Sequence, residues 1–441
     1  MTQKLSTSSY LAQVNDPLSE QVKRWWEMEA YASNVKSSGK SFEEKQALEI
    51  LEKTTRFENE RYEVGMLWKD SYENLPNNYF SALGQLKSLE RRLAKDQDLK
   101  TKYEQTISVD LDKGFVRKLD RDEIKDTASK PQWYIPHHPV LNPHKPEKVR
   151  RDCDAAAKYN GVSLNDKLMP GPDLLNSLLG IIFRFREHPI ALTADIESMF
   201  LQVLVPKEEC RLLRFLWRET PDDPVTTFEY KRHVFGARSS PTCVNYALHR
   251  SGEDNKETFP IVSSLIKRNF YMDDFIKSVK TDDEANEVFA NVTECLKLSG
   301  FELKKWISNS EALMEKIPVD LQSDAKSKTF ELEPLNSSIL GLKWNVESDT
   351  LEVSRGPQKP LPVTVTQRAV LSHVSSVFDP LGLFAPFTMR MRMLLKTVWK
   401  QIGQDWDRPL AAEEIKIFDE WAEELKVIKE FNIQRRYFKA E

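Results

Sequence analysis

Two adjacent carboxylates, Asp273 and Asp274, lie between apolar residues that favour β-strands in the segment Phe270–Ile276. Taken alone, this pattern is also that of a hairpin turn whose carboxylates point into water. A third carboxylate, Asp195, ends an apolar strand-like segment at the point where a helix is predicted to start. Capping of that helix is the plain structural explanation for Asp195.

Considered together, these three carboxylates indicate a more specific chemistry. Phosphoryl transfer by two metal ions about 3.5–4 Å apart needs carboxylates from separate chain segments that converge on one point. Mg²⁺ prefers such oxygen ligands and retains water molecules that a phosphate can replace. One Asp at a strand end, with an Asp pair on a neighbouring hairpin, therefore predicts a two-metal phosphoryl-transfer site.

The elements that position these carboxylates are predicted from apolar periodicity and turn residues. Residues 191–205 begin as a strand and continue as a helix, residues 268–279 form a β-hairpin, and residues 283–299 form a helix. From residue 366 the chain is predicted to be helical to its end, with a break at residues 379–382. Because this order is not a regular βαβ repeat, the sequence predicts a mixed α+β fold and not a doubly wound sheet.

Composition limits the class of protein. The chain has 441 residues, which corresponds to about two to four domains. Its net charge of −4 excludes a simple basic protein that coats nucleic acid. It does not exclude a protein whose positive groove and negative site cancel in the total charge. No apolar run approaches bilayer length and the first residues lack a signal-peptide core, so we expect an intracellular protein. The cysteines are too scattered for a zinc site or a disulfide framework: Cys153, Cys210, Cys243 and Cys295.

Three segments in a fixed order resemble the polymerase motifs of reverse transcriptases. Residues 191–203 (ALTADIESMFLQV) resemble motif A, residues 233–242 (HVFGARSSPT) motif B, and residues 270–276 (FYMDDFI) motif C. Longer stretches, among them LLRFLWRE, FELKKWISNS and VSSVFDPLGLFAPF, are similar to the polyproteins of BEL/Pao long-terminal-repeat retrotransposons. The resemblance extends over roughly residues 22–430.

This resemblance implies a right-hand polymerase fold, with fingers, a palm built on an antiparallel sheet, and a helical thumb that leads into the start of a connection. It divides the chain into a poorly ordered N-terminal extension (1–40), a helical N-terminal region (41–110), a fingers-like region (111–190), a palm with motifs A, B, C and D (191–310), a primer-grip and palm–thumb connection (311–365), and the helical thumb with the start of the connection (366–441). The protease, RNase H and integrase segments of such polyproteins are expected to be absent from this chain.

The implied activity is RNA-directed DNA polymerisation, a nucleotidyl transfer from a dNTP to a primer 3′-hydroxyl on an RNA or DNA template. The implied cofactors are two Mg²⁺ ions, for which Mn²⁺ could substitute. Asp195 and Asp273 would bind them through their side chains and Ile196 through its backbone carbonyl, while Asp274 would complete the acidic cluster. No membrane partner is expected, and the implied location is the cytoplasm, with a virus-like particle as the alternative.

The residues that the resemblance assigns to the nucleotide are Arg150, Arg151, Phe200, Phe235, Gly236, Lys304 and Lys305. Phe200 lies where reverse transcriptases carry an aromatic ring that blocks a ribose 2′-hydroxyl, although core packing explains an aromatic residue equally well. Arg150 is the preferred triphosphate contact because a guanidinium binds phosphate bidentately, whereas a solvated turn suits Lys148 better. Lys304 or Lys305 resembles the motif D lysine near the leaving pyrophosphate, and the sequence does not decide between them.

Two further segments are implied to hold the primer–template. Leu340–Trp344 resembles the primer grip, although Trp344 could equally be a core residue. The predicted thumb has a basic face that could bind phosphates or simply be solvated, formed by Arg390, Arg392, Lys396 and Lys400.

One residue departs from the family pattern. Related sequences tend to have an apolar residue in the place of Asp152, and an acid beside Arg150 would weaken nucleotide binding or mark a decayed copy. The alternative function is therefore a catalytically decayed, nucleic-acid-binding remnant of a polyprotein. The intact acidic residues favour the active polymerase, and Phe200 argues against a palm polymerase that makes RNA, because such enzymes usually have a small or polar residue there.

Overall fold

The computed structural model describes residues 40–127, 129–142, 145–323, 329–331, 342–353, 362–377, 379–403, 405–426 and 432–437. The chain divides into two compact units, residues 1–46 and 47–441. The described part of the first unit contains the start of helix α1 (Phe42–Thr54), which is capped by a hydrogen bond of 3.2 Å from Glu44 N to Ser41 Oγ. The predicted N-terminal extension lies outside the described residues, apart from Lys40.

The second unit alternates helices and short strands. Its first part contains β1 (Arg56–Glu58), β2 (Arg61–Glu63), α2 (Tyr79–Leu93), α3 (Gln97–Asp112), β3 (Val116–Lys118), α4 (Arg121–Asp126), β4 (His137–Asn142), β5 (Lys145–Cys153) and α5 (Leu178–Phe185). The middle contains β6 (Ile190–Ile196), β7 (Arg214–Trp217), β8 (Thr226–Tyr230), α6 (Ser240–Asp254), α7 (Pro260–Asn269), β9 (Phe270–Tyr271), β10 (Asp274–Val279), α8 (Asp282–Leu298), β11 (Leu303–Ser308) and α9 (Glu311–Met314). The last part contains β12 (Thr329–Glu331), β13 (Leu342–Asn345), β14 (Thr350–Val353), α10 (Gln367–Val374), α11 (Ala385–Ile402), α12 (Ala412–Glu424) and β15 (Asn432–Gln434).

The sheet that carries the predicted site has the strand order β11-β6-β10-β9 and is antiparallel throughout. Leu192 and Ile196 of β6 pack into a core that is formed with α6, α7 and α8. Because side chains alternate along a strand, Asp195 lies on the other face of the sheet. On that face, Ala191 packs in a smaller cluster with Trp344 of β13.

A separate core lies under α2 and α3 and the sheet β3-β8-β7. Helix α2 buries Ala82, Leu86, Leu89 and Leu93, a spacing that places them on one helix face. Asp96 begins α3, since its side chain accepts a hydrogen bond of 3.0 Å from Leu99 N. The hairpin of β4 and β5 packs beside this core and carries the basic residues of the predicted fingers.

The C-terminal helices α10, α11 and α12 have a core of their own, which includes Val370, Met391, Phe418 and Trp421. Strand β15, which follows these helices, returns to the sheet with the order β12-β13-β14-β15. The prediction of helix up to the end of the chain is therefore wrong for β15.

The mixture of helices with antiparallel sheets confirms the predicted α+β class. The predicted hairpin at residues 268–279 and the predicted helix at residues 283–299 are also confirmed, by β9–β10 and by α8. The predicted helix after β6 is wrong, because Ser198 adopts a left-handed φ of 50° and a 3₁₀ turn, Met199–Gln202, follows it. No described helix is both long and apolar enough to span a membrane.

Candidate active site

Asp195 lies near the end of β6, and the turn between β9 and β10 brings the other two acids to it. Asp274 is directly opposite Asp195 in the antiparallel register of β10 and β6. Met272 permits the tight turn by adopting a φ of 52°. The carbonyl of Asp273 accepts a hydrogen bond of 2.9 Å from Ile196 N. Since Asp195 lies within the strand, it caps no helix, and its capping interpretation is wrong.

Acidic and basic side chains lie close together at this end of the sheet. Burial, together with the negative charge of Asp195, raises the pKa of Asp273 to about 6, while Lys305 and Arg150 act in the opposite direction. Lys305 Nζ lies 3.0 Å from Asp195 Oδ2. Among the described residues, no group of three or more His, Cys, Asp or Glu side chains is arranged so that it could hold a metal ion.

The two lysines that the sequence left as alternatives have different partners. Lys305 is paired with Asp195, as described above, whereas Lys304 Nζ lies 3.0 Å from Glu197 Oε2. Glu197 also accepts a hydrogen bond of 2.8 Å from Lys113 Nζ, and these contacts lower its pKa. Glu197 was not predicted as a site residue, although its position two residues after Asp195 was a signal that both side chains point to the same side.

The rings of Phe200 and Phe235 are 4.9 Å apart between centroids and tilted by 59°. Phe200 is half-buried and also touches the core beneath β6, so it combines the packing that was one explanation with a ring that faces motif B. Phe235 is exposed. The two aromatic residues that the sequence assigned to the nucleotide are thus brought together.

Gly236 is required at its position by both backbone conformation and space. Its φ is +101°, and a Cβ atom would lie 2.0 Å from the carbonyl oxygen of Cys153 at the end of β5. Asn165 holds the same loop from the other side: its Nδ2 donates to Gly236 O at 2.9 Å, and its Oδ1 accepts from Arg238 N at 2.8 Å. Asn165 was missed by the sequence analysis, and no sequence signal marks it.

The neighbouring arginines of β5 have opposite environments. The Arg151 side chain is 3 % exposed, pairs with Asp110 of α3, and stacks over the Phe215 ring at 4.5 Å from its centroid. It is engaged inside the core and does not join the nucleotide residues, contrary to the expectation. Arg150 is exposed and its charge reaches Asp273. Asp152 Oδ2 lies 3.8 Å from His138 Nε2, and the side chain of Lys148 lies outside the described residues.

Of the predicted primer grip, Leu340 and Gly341 lie outside the described residues. Trp344 is a core residue, which was the alternative to a role in the primer grip. It is 1 % exposed, and its Nε1 donates to Asp349 Oδ1 at 2.9 Å. On α11, the side chains of Arg392, Lys396 and Lys400 are exposed. Arg390 is paired with Glu424 of α12.

Two family models match the chain. Residues 151–306 match a model described as reverse transcriptase (RNA-dependent DNA polymerase), and this range contains all three acids. Residues 366–441 match a model described as Pao retrotransposon-like RNaseH-like domain. The second description does not agree with the expectation that an RNase H segment is absent from the chain. The thumb assignment of these residues stays a prediction.

The chain is similar to two solved foamy viral structures. A foamy viral protease–reverse transcriptase, the dRH form in complex with double-stranded DNA, is 14 % identical, with a TM-score of 0.47, and the match covers 75 % of this chain and 49 % of that chain. The foamy viral protease–reverse transcriptase in complex with an RNA/DNA hybrid is 13 % identical, with a TM-score of 0.43 and coverages of 90 % and 45 %. The chain thus spans about half the length of these two proteins.

No curated protein sequence matches the chain. The family matches agree with the order of the three motifs and with the longer segments that resemble BEL/Pao polyproteins. The chain therefore contains the reverse transcriptase region of a BEL/Pao-type retrotransposon.

Proposed function

We propose that the chain is an active RNA-directed DNA polymerase that transfers nucleotidyl groups from dNTPs to a primer 3′-hydroxyl. The observation that carries the proposal is the register of β10 on β6, which sets Asp274 opposite Asp195 and fixes Asp273 to Ile196 by a 2.9 Å hydrogen bond. Acids from two distant chain segments lie at one end of the sheet, where two-metal nucleotidyl transfer needs carboxylates, although in the described residues their side chains do not form a three-ligand metal cluster.

The donor chemistry of this cluster fits a hard divalent cation. The ligands on offer are oxygen atoms only. Burial, and then the negative charge of Asp195, raises the pKa of Asp273, and a cation would relieve that repulsion. Asp195 and Asp273 would hold the ions through their side chains, with the Ile196 carbonyl and Asp274 completing the set. When bound, two Mg²⁺ ions, or Mn²⁺ in their place, activate the primer 3′-hydroxyl and stabilise the charge of the departing pyrophosphate.

The surrounding side chains bind and orient the dNTP. Arg150 is exposed and electrostatically coupled to the acidic cluster, so it contacts the triphosphate. Phe200, supported by Phe235, excludes a ribose 2′-hydroxyl. Gly236 lets the motif B loop approach β5, and Lys305 is the motif D lysine near the leaving pyrophosphate. Arg151 and Lys304 are left out because their charges are engaged elsewhere.

The same proposal assigns the partners and the organisation of the chain. RNA and DNA primer–templates lie along the exposed cations of α11 and are held through their phosphates. The fingers comprise residues 111–190, the palm 191–310, the primer-grip region 311–365 and the thumb 366–441, after an N-terminal helical region at 41–110. The location is the cytoplasm or a virus-like particle.

The test is primer extension on an RNA template with dNTPs and Mg²⁺, in which the parent chain is compared with Asp273→Asn. Asp222→Asn is the matched control, because it makes the same change at an exposed acid of the β7–β8 loop. We expect extension by the parent and by Asp222→Asn, and a loss of about 10²- to 10³-fold in Asp273→Asn, as expected when charge stabilisation at the reacting centre is lost.

The outcome that would overturn the proposal is a folded parent chain that binds primer–template and extends nothing. That result would favour the decayed remnant, in which the palm folds but no longer turns over. Equal extension by the parent and Asp273→Asn would instead remove Asp273 from the catalytic set.

A further inference from the structure

Strand β11 contains a bulge where it pairs with β6. Between Lys304, which lies opposite Asp195, and Ile307, β11 accommodates one residue more than its partner strand. Lys305 has a φ of 57°, in the left-handed region that a lysine seldom adopts. Trp306 returns to the palm core, so the inserted residue leaves the apolar side of the strand intact.

The bulge places two consecutive lysines on the same side of the sheet. In an unbroken strand, neighbouring side chains point to opposite faces, and one of these ammonium groups would face the apolar core. Here Lys305 Nζ lies 3.0 Å from Asp195 Oδ2, and Lys304 Nζ lies 3.0 Å from Glu197 Oε2. A strained backbone conformation is therefore maintained at Lys305, whose ammonium group lies on the Asp195 carboxylate.

We propose that Lys305 is a built-in counter-ion that occupies the Asp195 carboxylate in the cation-free protein and competes with a divalent cation for it. The inference rests on the proposed function, because it takes Asp195 as a cation ligand. The pair is open to exchange, since the Lys305 side chain is 59 % exposed and the Asp195 side chain 24 %. An ion pair of this exposure is weak, so a divalent cation can displace it without disturbing the core.

The charges nearby make this role specific to one lysine. Lys304 and Lys113 are both engaged by Glu197, and Arg150 is on the fingers hairpin. Removal of Lys305 therefore uncovers Asp195 itself, whereas removal of Lys304 takes away one of the two cations on Glu197 and leaves the Asp195 pair in place. The two adjacent lysines are a matched pair for an experiment.

The test measures Mn²⁺ binding to the full chain by electron paramagnetic resonance of the free ion, without nucleotide or nucleic acid. The proteins are the parent, Lys305→Gln, Lys305→Arg, Lys304→Gln and Asp195→Asn. We expect Lys305→Gln to bind Mn²⁺ roughly two- to tenfold more tightly than the parent, because the competing charge is gone. Lys305→Arg, which keeps the charge, and Lys304→Gln should stay within about twofold of the parent.

Two results would overturn the inference while leaving the proposed function standing: unchanged Mn²⁺ affinity in Lys305→Gln, or an equal gain in Lys304→Gln. In either case Asp195→Asn would still weaken binding relative to the parent. If the parent, Lys305→Gln and Asp195→Asn all fail to bind Mn²⁺, or bind it equally, then Asp195 is not a cation ligand and the metal part of the proposed function fails as well.

Discussion

The guanidinium of Arg435 is joined to the carboxylate of Asp349 by two parallel hydrogen bonds, Nε to Oδ1 at 2.6 Å and Nη2 to Oδ2 at 2.9 Å. The remaining donors of Arg435 reach the carbonyl oxygens of Phe185, His188 and Pro189, at 2.6, 2.9 and 2.6 Å. These carbonyls lie between the last residue of α5 and the start of β6, which carries Asp195. Arg435 therefore ties the β13–β14 hairpin to the segment that leads into β6.

Arg435→Met should lower the free energy of unfolding by roughly 3–5 kcal/mol, because it leaves Asp349 and three carbonyl oxygens without their buried partner. The Arg435 side chain is 0 % exposed, so water cannot replace it without rearrangement. Urea unfolding followed by tryptophan fluorescence measures the loss. Arg408→Met is the control, since Arg408 is exposed and should change stability by about 0.5 kcal/mol or less. Similar losses in both variants would contradict the role of Arg435.

Gly236→Ala should reduce kcat/KM for dNTP incorporation by about 10²-fold, because the motif B loop must move away from β5 to avoid the Cys153 carbonyl. Gly114→Ala is the control for backbone conformation alone: its φ is +66° and no heavy atom lies within 4 Å of the added Cβ. That variant should cost about 1 kcal/mol of stability and retain activity. Single-nucleotide incorporation kinetics distinguish the two, and equal kinetic effects would show that space at Gly236 is unimportant.

The positions of the acids could be predicted from the sequence because they depend on local signals. An apolar strand that ends at Asp195 and a hairpin around Asp273 set their own geometry, and antiparallel pairing of the two segments brings the acids together. The interruption after β6 was predicted incorrectly, since Ser198 gives no sign of a left-handed conformation.

The face of a strand on which an individual side chain lies could not be predicted, because it depends on partners that are distant in the sequence. Alternation along β5 separates Arg150 from Arg151, but which one is buried is decided by Asp110, 41 residues away from Arg151. The different partners of Lys304 and Lys305 likewise depend on a bulge, and a lysine in the left-handed region carries no sequence signal.

Phe200→Ala should raise the incorporation of ribonucleotides relative to deoxynucleotides by about 10²-fold, because the ring that meets the 2′-hydroxyl is removed. Phe289→Ala is the matched control, since Phe289 is also a half-buried ring packed on the same core as Phe200. Both variants should lose some stability, but only Phe200→Ala should change sugar selection. The ratio of kcat/KM values for matched NTP and dNTP is the measurement, and an unchanged ratio would leave Phe200 as a packing residue.

Arg392→Gln and Lys396→Gln should each reduce the salt dependence of primer–template binding, with the slope of log K against log salt falling by about 1 per phosphate contact. Both side chains are exposed on α11. Arg390→Gln is the control, because Arg390 is already paired with Glu424 and should alter the slope little. Fluorescence anisotropy across a range of KCl concentrations gives the slopes. If Arg390→Gln lowers the slope as much as Arg392→Gln and Lys396→Gln do, the net charge of the protein governs binding, and not this face of α11.

Glu209 should make the protein less stable as the pH rises from about 5 to about 8. Burial raises its pKa from 4.5 to about 7, against the effect of hydrogen bonds from Met66 N at 2.8 Å and Trp68 Nε1 at 2.9 Å. Between these two pKa values the folded protein keeps a proton that the unfolded chain has released. The contribution of Glu209 is therefore complete below pH 4.5 and is lost as the pH rises through about 7, by up to about 1.4 kcal/mol per pH unit.

Urea unfolding of the parent and of Glu209→Gln at pH 5 and pH 8 isolates this contribution. Buried His137 and His233, whose pKa values burial lowers to about 3 and about 4, act in the opposite direction, since their stabilisation increases as the pH rises towards 6.5. They act equally in both proteins, so they cancel in the comparison. Glu209→Gln should be less stable than the parent at pH 5, because its amide cannot accept hydrogen bonds from both Met66 N and Trp68 Nε1. The difference in the free energy of unfolding between the two proteins, the gap, should be smaller at pH 8. A gap that is independent of pH would show that Glu209 is ionised throughout this range.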